Sequence, residues 1–217
     1  MSRQQPQMKM SESRGTRGAL LLADISGYTG FLQAVAGAHG AEMATMPELP
    51  AAYPLITSLL DGIVSGLVPP FRLSKLEGDA VFAYSPVDAY DDRGDSVVDT
   101  LRRCYAAYQE RRDEAVRLMF CDCQACEGLN TLELKFVLHW GNYVVQAIAG
   151  HDELLGPDVT MAHLLLKNNV SSVVGVSAYA LLTQAATNEL DVPTEASTPH
   201  TEQFPHYPVI DTYIYKL

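Results

Sequence analysis

Hydrophobic residues recur at two different spacings along the chain, and this alternation predicts a mixture of helices and strands. Steps of three and four residues predict helices over residues 27–39, 51–66, 97–119, 157–168 and 177–186. Short apolar or alternating runs predict strands over residues 18–25, 71–75, 80–84, 132–140, 143–149, 173–176 and 209–217. The order of these elements predicts an α+β fold in which helices pack on one face of a sheet.

Breaks in the two patterns predict the connecting segments. Stretches rich in proline, small or acidic residues are predicted as loops, over residues 40–50, 88–95 and 188–201. Residues 120–130 carry three of the four cysteines, and we expect this loop to be an arm or insert. Residues 1–17 are polar, and we expect a disordered lead to a single domain spanning residues 18–217.

Composition and charge limit the classes of partner. Of the 217 residues, 47% are hydrophobic and 19% are charged, as in an ordinary soluble domain. The net charge of -11 argues against a nucleic-acid partner, because phosphate neutralisation needs clustered lysine and arginine. No apolar run approaches the roughly 20 residues of a membrane span, and residues 1–17 lack the apolar segment of a secretory signal. We therefore expect a cytoplasmic protein without a membrane partner.

The first predicted strand ends in a carboxylate, Asp24, which is followed by Ile25-Ser26-Gly27-Tyr28-Thr29. A carboxylate at a strand exit, beside the free backbone N–H groups of a helix start, is suited to hold a cation and its bound phosphates. The alternative is that Asp24 only caps the helix, since aspartate and serine are common caps.

A second carboxylate, Asp79, follows Lys75-Leu76-Glu77-Gly78 in a predicted hairpin turn between two short strands. Two carboxylates from neighbouring strands can chelate Mg²⁺ or Mn²⁺, which prefer oxygen ligands and accept phosphate among them. The alternative is a surface turn with solvated charges. A metal site therefore requires that folding brings Asp79 close to Asp24.

Several stretches in order resemble the catalytic domain of the class III nucleotide cyclases. The matches are Asp-Ile-x-Gly-Phe-Thr at residues 24–29, with Tyr28 at the phenylalanine position, Lys-x-x-Gly-Asp at 75–79, His-x-Gly at 139–141, part of Gly-x-x-Val-Asn-x-Ala-x-Arg at 156–164, and the last strand at 212–217. They extend over about residues 19–217, and the cysteine-bearing loop is similar to that of some bacterial cyclase-like proteins. The resemblance implies a ferredoxin-like cyclase fold with a central, mostly antiparallel sheet.

The resemblance also implies roles for the first two motifs. Asp24 and Asp79 would hold Mg²⁺ or Mn²⁺, assisted by the backbone carbonyl of Ile25. Gly27–Thr29 would contact the bound nucleoside triphosphate. The implied chemistry is two-metal phosphoryl transfer, in which the ribose 3′-hydroxyl attacks and pyrophosphate leaves.

Two further residues match the positions that read the base in adenylate cyclases. Lys75 aligns with the lysine that contacts adenine, and Glu153 lies three residues before Gly156, where an acidic partner is found. A lysine and a carboxylate together meet the acceptor and the donor of the adenine edge, so ATP is favoured over GTP. In the family the metal carboxylates and the base-reading residues come from different subunits, which implies a homodimer.

The fourth motif departs from the family pattern at two positions. Thr160 stands where cyclases carry the asparagine that orients the ribose, and Leu164 stands where they carry an arginine. That arginine neutralises charge on the transferring phosphoryl group, and its loss typically costs roughly 10³-fold or more in rate. Lys167, three residues along the predicted helix, is a candidate substitute. Three functions remain open: nucleotide binding with weak or no turnover, an active adenylate cyclase making 3′,5′-cyclic AMP, and a non-enzymatic regulatory module.

The cysteines form a separate candidate site. Cys121, Cys123 and Cys126 lie within six residues, and Cys104 lies on the preceding predicted helix. In a cytoplasmic protein such a loop favours metal binding over a disulfide. Zinc takes four tetrahedral ligands, so Cys104 or a histidine would have to supply the fourth. The alternative is a set of free thiols.

Overall fold

The computed structural model describes residues 15–39, 52–87, 95–119, 121 and 123–217. Several predictions fall partly or wholly outside the described residues. They are residues 1–14 of the predicted lead, the whole loop at 40–50, residue 51 of the second predicted helix, residues 88–94 of the loop at 88–95, and residues 120 and 122 of the cysteine-bearing loop. Gly15–Arg17, which the sequence assigns to the lead, instead form the first residues of a strand.

Within the described residues, eight strands form one sheet. They are β1 (Gly15–Ser26), β2 (Arg72–Glu77), β3 (Ala80–Pro86), β4 (Glu133–Ile148), β5 (His151–Leu155), β6 (Tyr179–Thr183), β7 (Thr198–Glu202) and β8 (Ile210–Lys216). The strand order is β2-β3-β1-β4-β6-β8-β7, and β5 pairs with the end of β4. Only β4 and β6 are parallel among the described pairs, so the expected α+β fold with a mostly antiparallel sheet is confirmed.

Seven α-helices connect the strands in the described part of the chain. They are α1 (Tyr28–His39), α2 (Ala52–Leu67), α3 (Asp95–Leu118), α4 (Gln124–Glu127), α5 (Pro157–Leu165), α6 (Val170–Val174) and α7 (Gln184–Glu189). The three long predicted helices are confirmed as α1, α2 and α3, each to within two residues at either end. None of the described helices is long and apolar enough to cross a membrane.

The strand β1 runs through the middle of the sheet, between β3 and β4. Its consecutive apolar residues point alternately to two cores. Leu20 and Leu22 pack with residues of α5, whereas Leu21 and Ala23 pack with residues of α1, α2 and α3. The expectation that helices cover one face of the sheet is therefore wrong, because a strand that is apolar at every position must be covered on both faces.

The strand β4 is continuous through Gly141-Asn142, where two separate strands were predicted. Its hairpin partner is β5, and the turn falls at Ala149-Gly150. Gly141 is needed for a different reason: a β-carbon there would lie 2.3 Å from the Asp158 side chain. The backbone N–H of Asn142 donates to Asp158 Oδ2 at 2.6 Å, which holds the start of α5 against β4. The glycine marks a close approach of two elements and not a turn.

The predictions between residues 173 and 201 are largely wrong. Residues 173–176, predicted as a strand, fall on the end of α6, which Gly175 terminates in a left-handed conformation. Residues 177–186, predicted as a helix, hold β6 and only the start of α7, and the predicted loop at 188–201 contains the start of β7. Short apolar runs fit a buried strand and a buried helix equally well, so periodicity alone could not decide. The terminal strand is confirmed as β8.

Candidate functional site

Asp24 lies near the end of β1 and faces Lys135 of β4 in the strand register. Lys135 Nζ is 3.1 Å from Asp24 Oδ2, and each side chain is only 17% exposed. The same ammonium group donates to the carbonyl oxygen of Leu166 at 3.3 Å. Asp24 therefore has an ion-pair partner within the protein, one that the sequence motifs did not indicate.

Asp79 lies in the turn between β2 and β3, next to the end of β1. The Ile25 backbone N–H donates to the Asp79 carbonyl oxygen at 3.3 Å. Burial, followed by the charge of Asp24, raises the pKa of Asp79 above its ordinary value, and Lys135 opposes this shift. The two carboxylates, 55 positions apart in the chain, thus meet at one end of the sheet, as the metal-site hypothesis requires.

A pocket of about 430 Å³ opens beside these carboxylates. It is lined by the run Asp24–Gly30, by Asp79 and by Lys135. Gly27 has a φ of +89°, which glycine adopts without strain, and its carbonyl oxygen accepts the N–H of Phe31 in the first turn of α1. The pocket therefore combines two carboxylates with the N-terminus of a twelve-residue helix, whose dipole favours anions.

Lys75 and Glu153 meet at a second pocket, of about 230 Å³, which shares no lining residue with the first. Lys75 Nζ is 2.9 Å from Glu153 Oε2 and 3.3 Å from Glu77 Oε1. The hydrogen bond to Glu153 is the largest of the effects that raise the pKa of Lys75. The pair implied by the resemblance is thus formed by residues of β2 and β5, which are 78 positions apart in the chain.

His163 of α5 contacts the same group of side chains. Its Nε2 atom is 3.0 Å from Glu77 Oε2, and its ring packs edge-on against Phe82. Glu77 therefore lies between Lys75 and His163 and connects β2 to α5. We did not expect this contact, because Glu77 and His163 are 86 positions apart and neither belongs to a motif position.

The helix α5 carries the two positions that depart from the cyclase pattern. Thr160 is exposed, and its hydroxyl donates to the Gly156 carbonyl oxygen at 3.4 Å. Leu164 is half-buried. The helix ends at Leu165 and not near residue 168, so Lys167 lies in the following turn, where its N–H donates to the Leu164 carbonyl oxygen at 2.9 Å. Leu164 and Lys167 are therefore not on one face of a continuous helix, and only the turn after the end of α5 connects them.

The three neighbouring cysteines meet a histidine from α1. The Nε2 atom of His39 lies 3.0 Å from the Sγ atom of Cys123, 3.5 Å from that of Cys126 and 3.6 Å from that of Cys121. The backbone N–H of Cys126 donates to the Sγ atom of Cys123, and this lowers the pKa of Cys123 to about 6. Burial raises the pKa of Cys126 to about 12. This cysteine–histidine cluster could hold a metal ion.

Cys104, the other cysteine considered for this site, lies elsewhere. It is buried on α3, where its thiol donates to the Ile63 carbonyl oxygen at 3.7 Å and contacts Gly66 of α2. Burial raises the pKa of Cys104 to about 12, so its thiol stays protonated. Of the two expected sources of a fourth ligand, the described structure offers a histidine and not Cys104.

The family model described as "Protein of unknown function (DUF2652)" matches residues 56–174, which is more than half of the chain. The chain belongs to this family. The DUF2652 segment includes Lys75, Asp79, Glu153 and the three clustered cysteines, whereas Asp24 and His39 precede it. The chain is also 34% identical over 134 residues to "Uncharacterized protein Rv2561/Rv2562" of Mycobacterium tuberculosis. That alignment covers 61% of this chain and 60% of the relative.

Solved structures show which fold this DUF2652 protein has. The adenylyl cyclase CyaB from P. aeruginosa superposes with a TM-score of 0.63 at 13% identity, covering 95% of this chain and 97% of that one. A bacterial light-regulated adenylyl cyclase superposes with a TM-score of 0.64 at 14% identity, covering 94% of this chain and 53% of that one. The predicted cyclase fold is therefore confirmed. Identities this low are evidence for the fold and not for the activity.

Two residues of these sites are not predicted by the sequence, for the same reason. Lys135 and His39 are joined to their partners by contacts between residues more than 80 positions apart. Lys135 is one of three polar residues, with Glu133 and His139, in the predicted strand at 132–140, and the strand pattern does not indicate which residue each of them faces. His39 lies in the last turn of α1, and no local pattern links it to the cysteines.

Proposed function

We propose that this domain binds a purine nucleoside triphosphate, with ATP favoured, together with Mg²⁺ or Mn²⁺. The observation that carries the proposal is the convergence of Asp24 and Asp79 beside the start of α1. Paired carboxylates attract a divalent ion, and the N–H groups of the first helical turn attract the phosphates bound to it. The pocket thus offers one group for each part of a metal–triphosphate complex.

The residues present fit a hard divalent ion. Asp24 and Asp79 offer carboxylate oxygens, and the backbone of Ile25 lines the same pocket. Such an ion, when bound, would neutralise phosphate charge. Lys135 opposes metal binding, because its ammonium group already pairs with Asp24 and leaves the two carboxylates with a single net negative charge. We therefore propose that the ion binds together with the triphosphate, whose charge Lys135 can also contact.

The preference for ATP rests on Lys75 and Glu153. The lysine can donate to an acceptor nitrogen of adenine, and the carboxylate can accept from the exocyclic amine. Guanine presents the reverse arrangement at the corresponding edge. The existing contact of 2.9 Å between the two side chains holds them next to each other before a base arrives.

We expect weak or absent cyclase turnover because of the residues that α5 carries. Leu164 offers no charge to the transferring phosphoryl group, and the Thr160 hydroxyl is engaged with the Gly156 carbonyl oxygen. Lys167 is exposed and lies beyond the helix end, so a long side chain would have to fold back to replace the arginine. We therefore propose a nucleotide-binding protein with little cyclase activity, and not an efficient cyclase.

Binding can be measured by the fluorescence anisotropy of a methylanthraniloyl ATP analogue. We expect binding to require Mn²⁺, and ATP to displace the analogue better than GTP. Lys75→Ala should weaken binding roughly 10-fold or more, because a hydrogen bond from a charged group is lost. Lys216→Ala, which removes an exposed lysine from β8, is the matched control and should bind normally. Equal displacement by both nucleotides would contradict the assignment of Lys75 and Glu153 as base-reading residues.

We further propose a homodimer in which each binding site takes its carboxylates from one subunit and its base-reading residues from the other. The separation of the two pockets within one chain supports this arrangement. Asp79→Asn and Lys75→Ala should then each weaken binding at every site, whereas their co-expression should return about a quarter of the sites to the wild-type affinity. In random twofold dimers, half are mixed and each mixed dimer has one intact site. Mixed dimers that bind no analogue would contradict the shared site.

A further inference from the structure

The cysteine–histidine cluster (His39, Cys121, Cys123 and Cys126) has the geometry of a closed metal site. The four donor atoms all lie within 4.8 Å of one another. A tetrahedral ion with zinc bond lengths of about 2.3 Å to sulfur and 2.0 Å to nitrogen requires sulfur–nitrogen separations of about 3.5 Å. Two of the observed separations, 3.5 and 3.6 Å, match that value, and the third, 3.0 Å, is shorter.

We propose that this cluster binds one zinc ion through all four side chains, as a structural site separate from the nucleotide pocket. Three sulfur donors and one imidazole favour a soft or borderline ion over Mg²⁺ or Mn²⁺, which prefer oxygen. Four protein ligands complete a tetrahedral shell and leave no open position for a substrate. The site is therefore structural and not catalytic.

The local backbone supports this assignment. Cys123 is the N-cap of α4 and Cys126 lies within this helix, where the Cys126 N–H donates to Cys123 Sγ at 3.4 Å and to the Cys123 carbonyl oxygen at 3.0 Å. An N–H group directed at a sulfur stabilises a metal-bound thiolate. All four cysteines of the chain are free, so no disulfide competes for these sulfurs.

The proposed zinc joins two segments that are remote in sequence. His39 ends α1, and the cysteines lie in the segment that precedes β4. This segment follows α1 back toward the nucleotide pocket, because a β-carbon at Gly128 would lie 3.4 Å from Phe31 and one at Gly27 would lie 3.3 Å from Leu132. The zinc would therefore fix the C-terminal end of α1, at His39. The N-terminal end of the same helix, about 18 Å away, borders the nucleotide pocket.

Metal analysis of the full chain tests the proposal. Protein purified without chelators should contain one zinc ion per chain by mass spectrometry. The variants His39→Ala, Cys123→Ser and Cys126→Ser should each lose it. Cys104→Ala should keep it, because Cys104 lies outside the cluster, and so should Asp79→Asn, which separates this site from the nucleotide pocket. Zinc retained after the Cys123→Ser and Cys126→Ser double substitution would overturn the assignment.

Reconstitution avoids the risk that a variant fails to fold. Wild-type protein stripped by a chelator under reducing conditions should take up one Co²⁺ and develop thiolate-to-cobalt charge-transfer bands with the visible bands of a tetrahedral ion. An equimolar addition of Zn²⁺ should displace the Co²⁺ and abolish both the charge-transfer bands and the visible bands. Uptake of Co²⁺ without charge-transfer bands, or no uptake by reduced protein, would overturn the proposal.

Discussion

A protein with Thr160→Asn and Leu164→Arg is expected to convert ATP to cyclic AMP about 10³-fold faster than the wild type in the presence of Mn²⁺. The two substitutions restore the ribose-orienting amide and the cation that the cyclase pattern carries at these positions. Leu164 is half-buried in the last turn of α5, where an arginine is compatible with the helix dipole. Chromatographic separation of the cyclic nucleotide from ATP gives the rate.

Two further variants show whether charge is the cause. Thr160→Asn with Leu164→Gln has a polar side chain without charge and should remain near the wild-type rate. Lys167→Ala in the wild type should abolish any low activity if Lys167 partly replaces the missing arginine. If the variant with Thr160→Asn and Leu164→Arg binds ATP normally but forms no more product than the one with Thr160→Asn and Leu164→Gln, something other than this charge limits turnover.

Replacing Asp79 with asparagine is expected to weaken Mn²⁺-dependent ATP binding about 100-fold, or about 2.7 kcal/mol, because one of two anionic metal ligands is lost. The same change should leave the melting temperature of the free protein unchanged or raise it, since Asp79 is disfavoured as an anion by burial and by Asp24. Asp61→Asn, which removes a 75% exposed carboxylate from α2, is the matched control and should bind ATP normally. A variant that binds normally or unfolds at a lower temperature would contradict the role given to Asp79.

The pKa of Asp79 also sets a pH dependence. Burial and the charge of Asp24 raise this pKa above the ordinary value of 3.8, so the folded chain holds the proton more tightly than the unfolded chain. This contribution to the free energy of unfolding is present below the ordinary pKa and is lost as the pH rises through the raised pKa. Subtracting the Asp79→Asn stability profile from the wild-type profile should isolate it. Mn²⁺-dependent ATP binding should change oppositely, weakening as the pH falls through the same range.

Local patterns predicted the parts of the fold that depend on neighbouring residues. The period of α1 and the Gly78-Asp79 turn between β2 and β3 are properties of short segments, and both form as expected. Gly141 shows the limit of such reasoning, because its need for a small residue comes from Asp158, 17 positions away. A glycine between apolar runs fits a turn or a close approach, and only the tertiary contact decides between them.

In the candidate sites too, the sequence indicated some of the residues, and only tertiary contacts identified the others. The pairing of Lys75 with Glu153 was implied only by family resemblance, since no local rule joins residues 78 positions apart. Lys135 was not predicted beside Asp24, because strand register decides which polar residue faces a carboxylate across a sheet. The cysteine spacing indicated a metal ligand set, but the identity of the fourth donor depended on how α1 packs against the segment before β4.

The most direct test of the proposed function is a calorimetric titration of ATP into the full wild-type chain, once with Mn²⁺ and once in buffer freed of divalent ions by a resin, so that tightly bound zinc is retained. We expect saturable binding in Mn²⁺ and at least a roughly 100-fold loss of affinity without it, since the carboxylates then repel the phosphates. Equal affinity in the two buffers, or no binding in either, would contradict the assignment of Asp24 and Asp79 as a metal and triphosphate site.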